Sequence, residues 1–232
     1  ETHFFGAYNR SLLSDNSTIF HRASDKVSKG MKVLLSILFI FLVSCGENKN
    51  NTLQFSELTS WNIPASGQRL PGPRAITCGE NEEVIVLDDA GRILVYDQQG
   101  KIKRQWKMPE TELGHPEGVT VFPDGKIAVA DTHYARVVVF NSDGAEAFRF
   151  GCRGDQPGQF YSPVGITLDD KQNIYVCEYG FNDRVQKFTK EGKFLLSFGK
   201  SGIELGNMQR ASDMVWTEGK LYVADAVNNR VQ

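Results

Sequence analysis

Net charge is almost absent from this chain. Its 232 residues hold 26 lysines and arginines against 28 aspartates and glutamates, a formal −2. Nucleic-acid binding needs a concentrated basic surface, so no nucleic-acid partner is expected. Cysteine is scarce: Cys45, Cys78, Cys152 and Cys177 are the four, and none stands in a C-x-x-C pair. That excludes the metal and dithiol motifs built on that spacing. Histidine is equally sparse, and beyond the first 30 residues only His115 and His133 remain. Two isolated imidazoles do not compose a three-histidine metal site, so no cofactor is expected. No apolar run reaches the roughly 18 residues of a membrane-spanning helix. Glycine, by contrast, is plentiful at 22 residues, above the average of roughly 7%, as in all-β chains with many tight turns.

The chain starts at Glu1, and its first methionine is Met31. It reads as an open-frame translation or a clipped piece, and residues 1–30, polar and without clear periodicity, carry little fold information. From Met31 the pattern changes. Lys32 follows, with Lys26 and Lys29 upstream, and then Val33 to Val43, in which only Ser36 is polar. As a helix this run spans about 16 Å, half of a bilayer core of about 30 Å, which suits a signal-peptide core. It ends in Leu42-Val43-Ser44-Cys45, which resembles the bacterial lipobox. The resemblance implies a signal peptide over 31–45, with Cys45 as a diacylglycerol-bearing mature N-terminus in the bacterial cell envelope. The membrane is then touched through the lipid alone. A plain signal peptide cut near Ser44, or a short buried strand, are the other readings. Residues 46–53 are mostly polar and suit a tether.

The remainder repeats. Segments opening at Pro73, Pro116, Pro163 and Ala211 line up at steps of 43, 47 and 48 residues. After each opening a second strand ends in an acid: Val84–Asp88, Ile127–Asp131, Ile174–Glu178 and Leu221–Asp225. A third begins with arginine at Arg92, Arg136, Arg184 and Arg230, and a fourth ends near Trp106, Phe150 and Phe198. β-Branched and aromatic content with flanking glycines supports strands over helices. Four short strands per 43–48 residues is a propeller-blade period. One blade cannot cover both of its faces, so blades stack around an axis. The fold class is therefore an all-β propeller over residues 54–232, with the fourth repeat truncated. Leu53 to Pro64 echoes a fourth strand, Trp61 matching Trp106.

These features resemble the NHL repeat, whose pattern runs P-x-G-I-x-V, then A-D, then N-x-R-V and F-G. Leu221-Tyr222-Val223-Ala224-Asp225 with Asn229-Arg230-Val231 is a close match. Blade one departs through the short loop Asp88-Asp89-Ala90-Gly91-Arg92 and lacks the F-G tail. The resemblance implies five or six blades in a whole propeller.

The repeated pairs Asp131 with Arg136, Glu178 with Arg184 and Asp225 with Arg230 invite a catalytic reading. A catalytic group is needed once and a brace in every repeat, so their role is structural: a carboxylate holding turn amides and an arginine pairing across the loop. Departures from the period are the functional candidates. Loops after the second and fourth strands emerge on one face and carry His115, His133, Tyr134, Arg153, Tyr161, Tyr179 and Phe181. Arg74, Glu117, Val164 and Ser212 start the first strands and are expected to line the central channel. Such loops on a rigid scaffold bind partners, here a protein, peptide or glycan, by a monomer. The other reading is an enzyme resembling the peptidyl-hydroxyglycine lyases or lactonase-like propellers, with zinc or calcium in the channel. In the lyases histidines follow the blade prolines, whereas here Arg74, Glu117 and Val164 do. Cys177 falls on a strand and is expected to be buried; Cys78 and Cys152 are expected in turns.

Overall fold

A computed structural model describes residues 58–79 and 82–232. Cys45 and the rest of the signal and tether segments lie outside the described residues. Fifteen strands form four antiparallel sheets in which each strand pairs with its neighbour in sequence. Blade one holds β1 (Pro73–Cys78), β2 (Val84–Asp88), β3 (Arg92–Tyr96) and β4 (Ile102–Lys107). Blade two holds β5 (Gly118–Val121), β6 (Ile127–Asp131), β7 (Arg136–Phe140) and β8 (Glu146–Phe150). Blade three holds β9 (Pro163–Leu168), β10 (Ile174–Glu178), β11 (Arg184–Phe188) and β12 (Phe194–Phe198). Blade four has three strands, β13 (Ala211–Thr217), β14 (Lys220–Asp225) and β15 (Arg230–Val231). The first strands β1, β5, β9 and β13 neighbour one another in turn, so the sheets radiate from a shared axis as propeller blades. A 3-10 turn at Thr132–Tyr134 follows β6, and no α-helix occurs among the described residues.

Burial follows from this stacking. The middle strands β3 and β6 are covered on both faces along their whole length, so they read as apolar runs apart from Arg92, which opens β3, and Asp131, which closes β6. The outer strand β4 alternates between half-buried and exposed, as expected where one face meets solvent. Ile85, Leu87, Ile93 and Val95 of blade one pack on Ile127, Val129, Val138 and Phe140 of blade two. Ala128, Val137 and Val139 meet Ile166, Ile174 and Val176, and Tyr175, Cys177 and Val185 meet Met214 and Val223. Each large aliphatic side chain so covered contributes roughly 1.5–3 kcal/mol.

A second repeating contact locks neighbouring blades. Trp106 lies over Gly144 and against Phe140, with ring centroids 5.9 Å apart. Phe150 lies over Gly192 and against Phe188 at 4.8 Å. Trp61 does the same with Gly100 and Tyr96 at 5.7 Å. These glycines close the turn between third and fourth strands at positive φ, 75°, 90° and 81° in chain order. Both the backbone angle and the ring above exclude a side chain there.

Several expectations need correction. Residues 58–64 form no strand, although Trp61 takes the place of a fourth-strand aromatic by stacking alone. Four blades, not six, are present among the described residues, since each takes 43–48 residues. Cys78 ends β1 rather than sitting in a turn. Val164 does not face an open channel; it is buried with Met208 and Met214, where its apolar side chain is better covered.

Candidate binding face

The acid at the end of each second strand is fully buried: Asp88, Asp131, Glu178 and Asp225. Each receives the arginine that opens the third strand, at 2.7, 2.8, 2.6 and 2.8 Å in chain order. The arginines reach further, into the linker entering their own blade. Arg184 donates to the carbonyls of Asp155 (2.8 Å) and Gln159 (2.9 Å), and Arg230 to those of Ile203 (2.7 Å) and Asn207 (2.9 Å). Arg92 donates to Pro64 O at 2.6 Å, so blade one keeps the brace despite its shorter loop. The amides held by the carboxylates of blades three and four come from the same linkers: Tyr161 N to Glu178 at 2.7 Å and Gln209 N to Asp225 at 2.7 Å. Burial pushes the carboxyl of Glu178 upward against these bonds. Burial also raises Asp131, whose Oδ1 has no hydrogen-bond partner among the described residues.

Gln186 and Gln232 belong to the same device. Gln186 donates to Gln159 O (2.7 Å) and Glu178 (3.2 Å) and accepts from Gly158 N (2.9 Å). Gln232 donates to Asn207 O (2.7 Å) and Asp225 (3.0 Å) and accepts from Gly206 N (2.9 Å). The repeated Arg-Val-Gln at 184–186 and 230–232 is the sequence signal for this role.

With the recurring groups committed to this frame, the non-recurring ones stand on the loops above it, in three places. Near the axis, Arg74 of blade one pairs with Glu117 of blade two. Over blades one and two, the His133 ring packs on Gly114, and Tyr134 accepts from Leu113 N (3.1 Å) and donates to Glu112 (3.0 Å). Arg136 sits 4.7 Å from the Tyr134 ring centroid. Arg153 donates to His133 O at 3.5 Å. His115 lies beside the Gly91 turn, and its Nδ1 is buried without a partner among the described residues. Over blades three and four, Tyr161 and Phe181 pair with centroids 4.9 Å apart. Arg210 lies over Tyr179 at 5.3 Å. Arg210 departs from the opening pattern of the other repeats, yet sequence reasoning passed over it because it precedes the strand start. Among the described residues, no three His, Cys, Asp or Glu side chains converge as metal ligands would.

The architecture and the repeat have counterparts. Residues 113–140, from the loop below His115 through β7, match the NHL repeat family. The Drosophila melanogaster protein brain tumor is 31% identical over 128 residues, covering 49% of this chain and 12% of that protein. Among solved structures, a catalytically inactive virginiamycin B lyase from Staphylococcus aureus with quinupristin superposes with a TM-score of 0.55 at 20% identity. That match covers 69% of this chain and 51% of the lyase chain. A Bacteroides thetaiotaomicron protein of unknown function gives 0.58 at 16%, covering 68% and 46%. The chain thus spans about half the length of these structures, and at such identities the likeness is one of fold.

Proposed function

We propose that this chain is an exported, lipid-anchored NHL propeller that acts as a binding scaffold through its loop face. One observation carries the reading: the recurring acids, arginines and glutamines are consumed by the inter-blade frame, while non-recurring aromatics, histidines and arginines gather on the loops of one face. Such a division suits a rigid platform that presents variable loops. The partner classes are a protein, peptide or glycan. The export signal over 31–45 and the lipobox-like Cys45 support a place in the bacterial cell envelope. Acyl chains contribute about 0.8 kcal/mol per buried CH₂, sufficient for anchorage with several chains.

The test is selection of a displayed random-peptide library on the purified chain. Recovered peptides are expected to lose binding to a His133→Ala, Tyr134→Ala, Phe181→Ala variant and to keep it with Asp124→Ala, Asp143→Ala on the opposite turns. Equal binding to both variants defeats the loop-face reading. Cys45→Ser is expected to move the chain from the membrane to the soluble fraction; an unchanged distribution defeats the anchor. The competing lyase- or lactonase-type reading requires zinc or calcium on convergent ligands. Stoichiometric metal in the purified protein would place it first.

A further inference from the structure

We propose that the loop face over blades three and four is a docking site for a peptide segment carrying a carboxylate beside an aromatic or aliphatic side chain; this rests on the scaffold reading above. Three observations converge there. The first is cationic. Every described arginine except Arg153 and Arg210 has a carboxylate within salt-bridge distance among the described residues. Arg210 stands on this face, whereas Arg153 lies over blades one and two against His133 O. Arg210 is exposed, its backbone N–H is spent on Asp183 at 2.8 Å, and its guanidinium rests on the Tyr179 ring. The ring contact positions a guanidinium that is exposed and has no carboxylate partner among the described residues, and a planar guanidinium suits bidentate capture of a carboxylate.

The second is apolar. The brace partners lie four, five and five positions apart in blades one, two and four, but six apart in blade three. The longer loop lifts Phe181 to 82% exposure. An aromatic ring of that exposure gains little from the fold and has its burial energy left for a partner. Tyr161 backs it at an interplanar angle of 45°. A tilted pair makes a wedge that grips a side chain, rather than a flat shelf for a sugar ring. The third is an unmet donor. Asn182 Nδ2, next to Phe181, is buried without an acceptor among the described residues. An unpaired buried donor costs about 1–3 kcal/mol, and a peptide carbonyl supplies the missing acceptor.

The probes are three fluorescein-labelled peptides, Gly-Glu-Phe-Glu-Gly, Gly-Lys-Phe-Lys-Gly and Gly-Glu-Ala-Glu-Gly, read by fluorescence anisotropy with the full chain. The first is expected to bind, and each of the other two to bind about tenfold or more weakly, as loss of a central anchor predicts. Phe181→Ala and Arg210→Gln should each weaken the first peptide about tenfold while circular dichroism and melting stay unchanged, both side chains being exposed. Raising salt should weaken it further. Equal binding of the acidic and basic peptides, or indifference to both substitutions, overturns the assignment. So does loop-face-dependent binding of polygalacturonate with no peptide binding. If library-selected peptides still depend on the loop face while the Glu-Phe-Glu peptide fails, the ligand class is wrong and the scaffold reading stands; if neither depends on that face, both fall.

Discussion

Arg184→Ala tests the claim that a carboxylate–arginine–carbonyl brace holds one blade to the linker before it. The wild-type guanidinium meets Glu178 at 2.6 Å and three carbonyls between 2.8 and 3.3 Å, and the Glu178 side chain is wholly buried. Removing the arginine leaves a buried carboxylate with only Tyr161 N and Gln186 as partners. Breaking a buried pair from one side costs about 3–5 kcal/mol. Arg69→Ala is the control, because its partner Asp89 and its own side chain are solvent-accessible; exposed pairs contribute about 1 kcal/mol or less. Urea unfolding of the purified chain gives both values.

The pH dependence adds a second arm. Burial already holds Glu178 above its ordinary pKa, and loss of Arg184 raises it further. An acid whose folded pKa is raised binds more protons folded than unfolded, so its charge costs stability as pH rises above the unfolded value. The Arg184→Ala deficit should therefore be largest near neutrality and shrink on acidification. A deficit below about 1 kcal/mol, matching the exposed-pair control, refutes the brace. A deficit independent of pH refutes the buried charge as its source.

Three further outcomes are expected. Hydrogen bonds from Arg104, assisted by Lys103, hold Glu83 down at about 2, so its share of stability is complete above the ordinary carboxylate pKa near 4.5 and is lost as pH falls toward 2. Glu83→Gln should flatten that acid slope, on the order of 3 kcal/mol at one pKa unit per 1.36 kcal/mol, in acid-unfolding curves. Gly192→Ala should destabilise by about 1–2 kcal/mol more than Gly219→Ala, since both have positive φ but only Gly192 would place a Cβ 2.6 Å from the Phe150 ring; equal melting shifts would remove the aromatic-over-glycine contact as a packing feature. Cys177 is buried and its thiol is pushed up to about 12 by burial. It should resist iodoacetamide in the folded chain while exposed Cys78 and Cys152 are alkylated, by peptide mass spectrometry.

The blade pattern was legible because it repeats: a side chain that covers the neighbouring sheet is required in every blade, so Asp131, Arg136 and their counterparts recur at the blade step. Gln186 and Gln232 repeat only in blades three and four, where blades one and two carry Leu94 and Val138, and they went unassigned because only the folded chain shows that the linker two strands away returns beneath them. The binding candidates were found as exceptions to the period, which marks them without saying who meets whom. His133 and Tyr134 proved to be tied to Gly114 and Glu112, whereas Phe181 was left open, and the sequence does not distinguish those fates.

The residue order alone determined the strand pattern, the turn glycines and the repeating acid–arginine pairs, since each depends on local backbone geometry and on alternation along a few residues. Tertiary structure decided what the loops do. Contacts such as Arg74 with Glu117, Tyr161 with Phe181 and Arg210 with Tyr179 join residues 20 to 43 positions apart; strand pairing within blade three brings Tyr161 to Phe181, and the stacking of one sheet beside the next brings the other two pairs within reach.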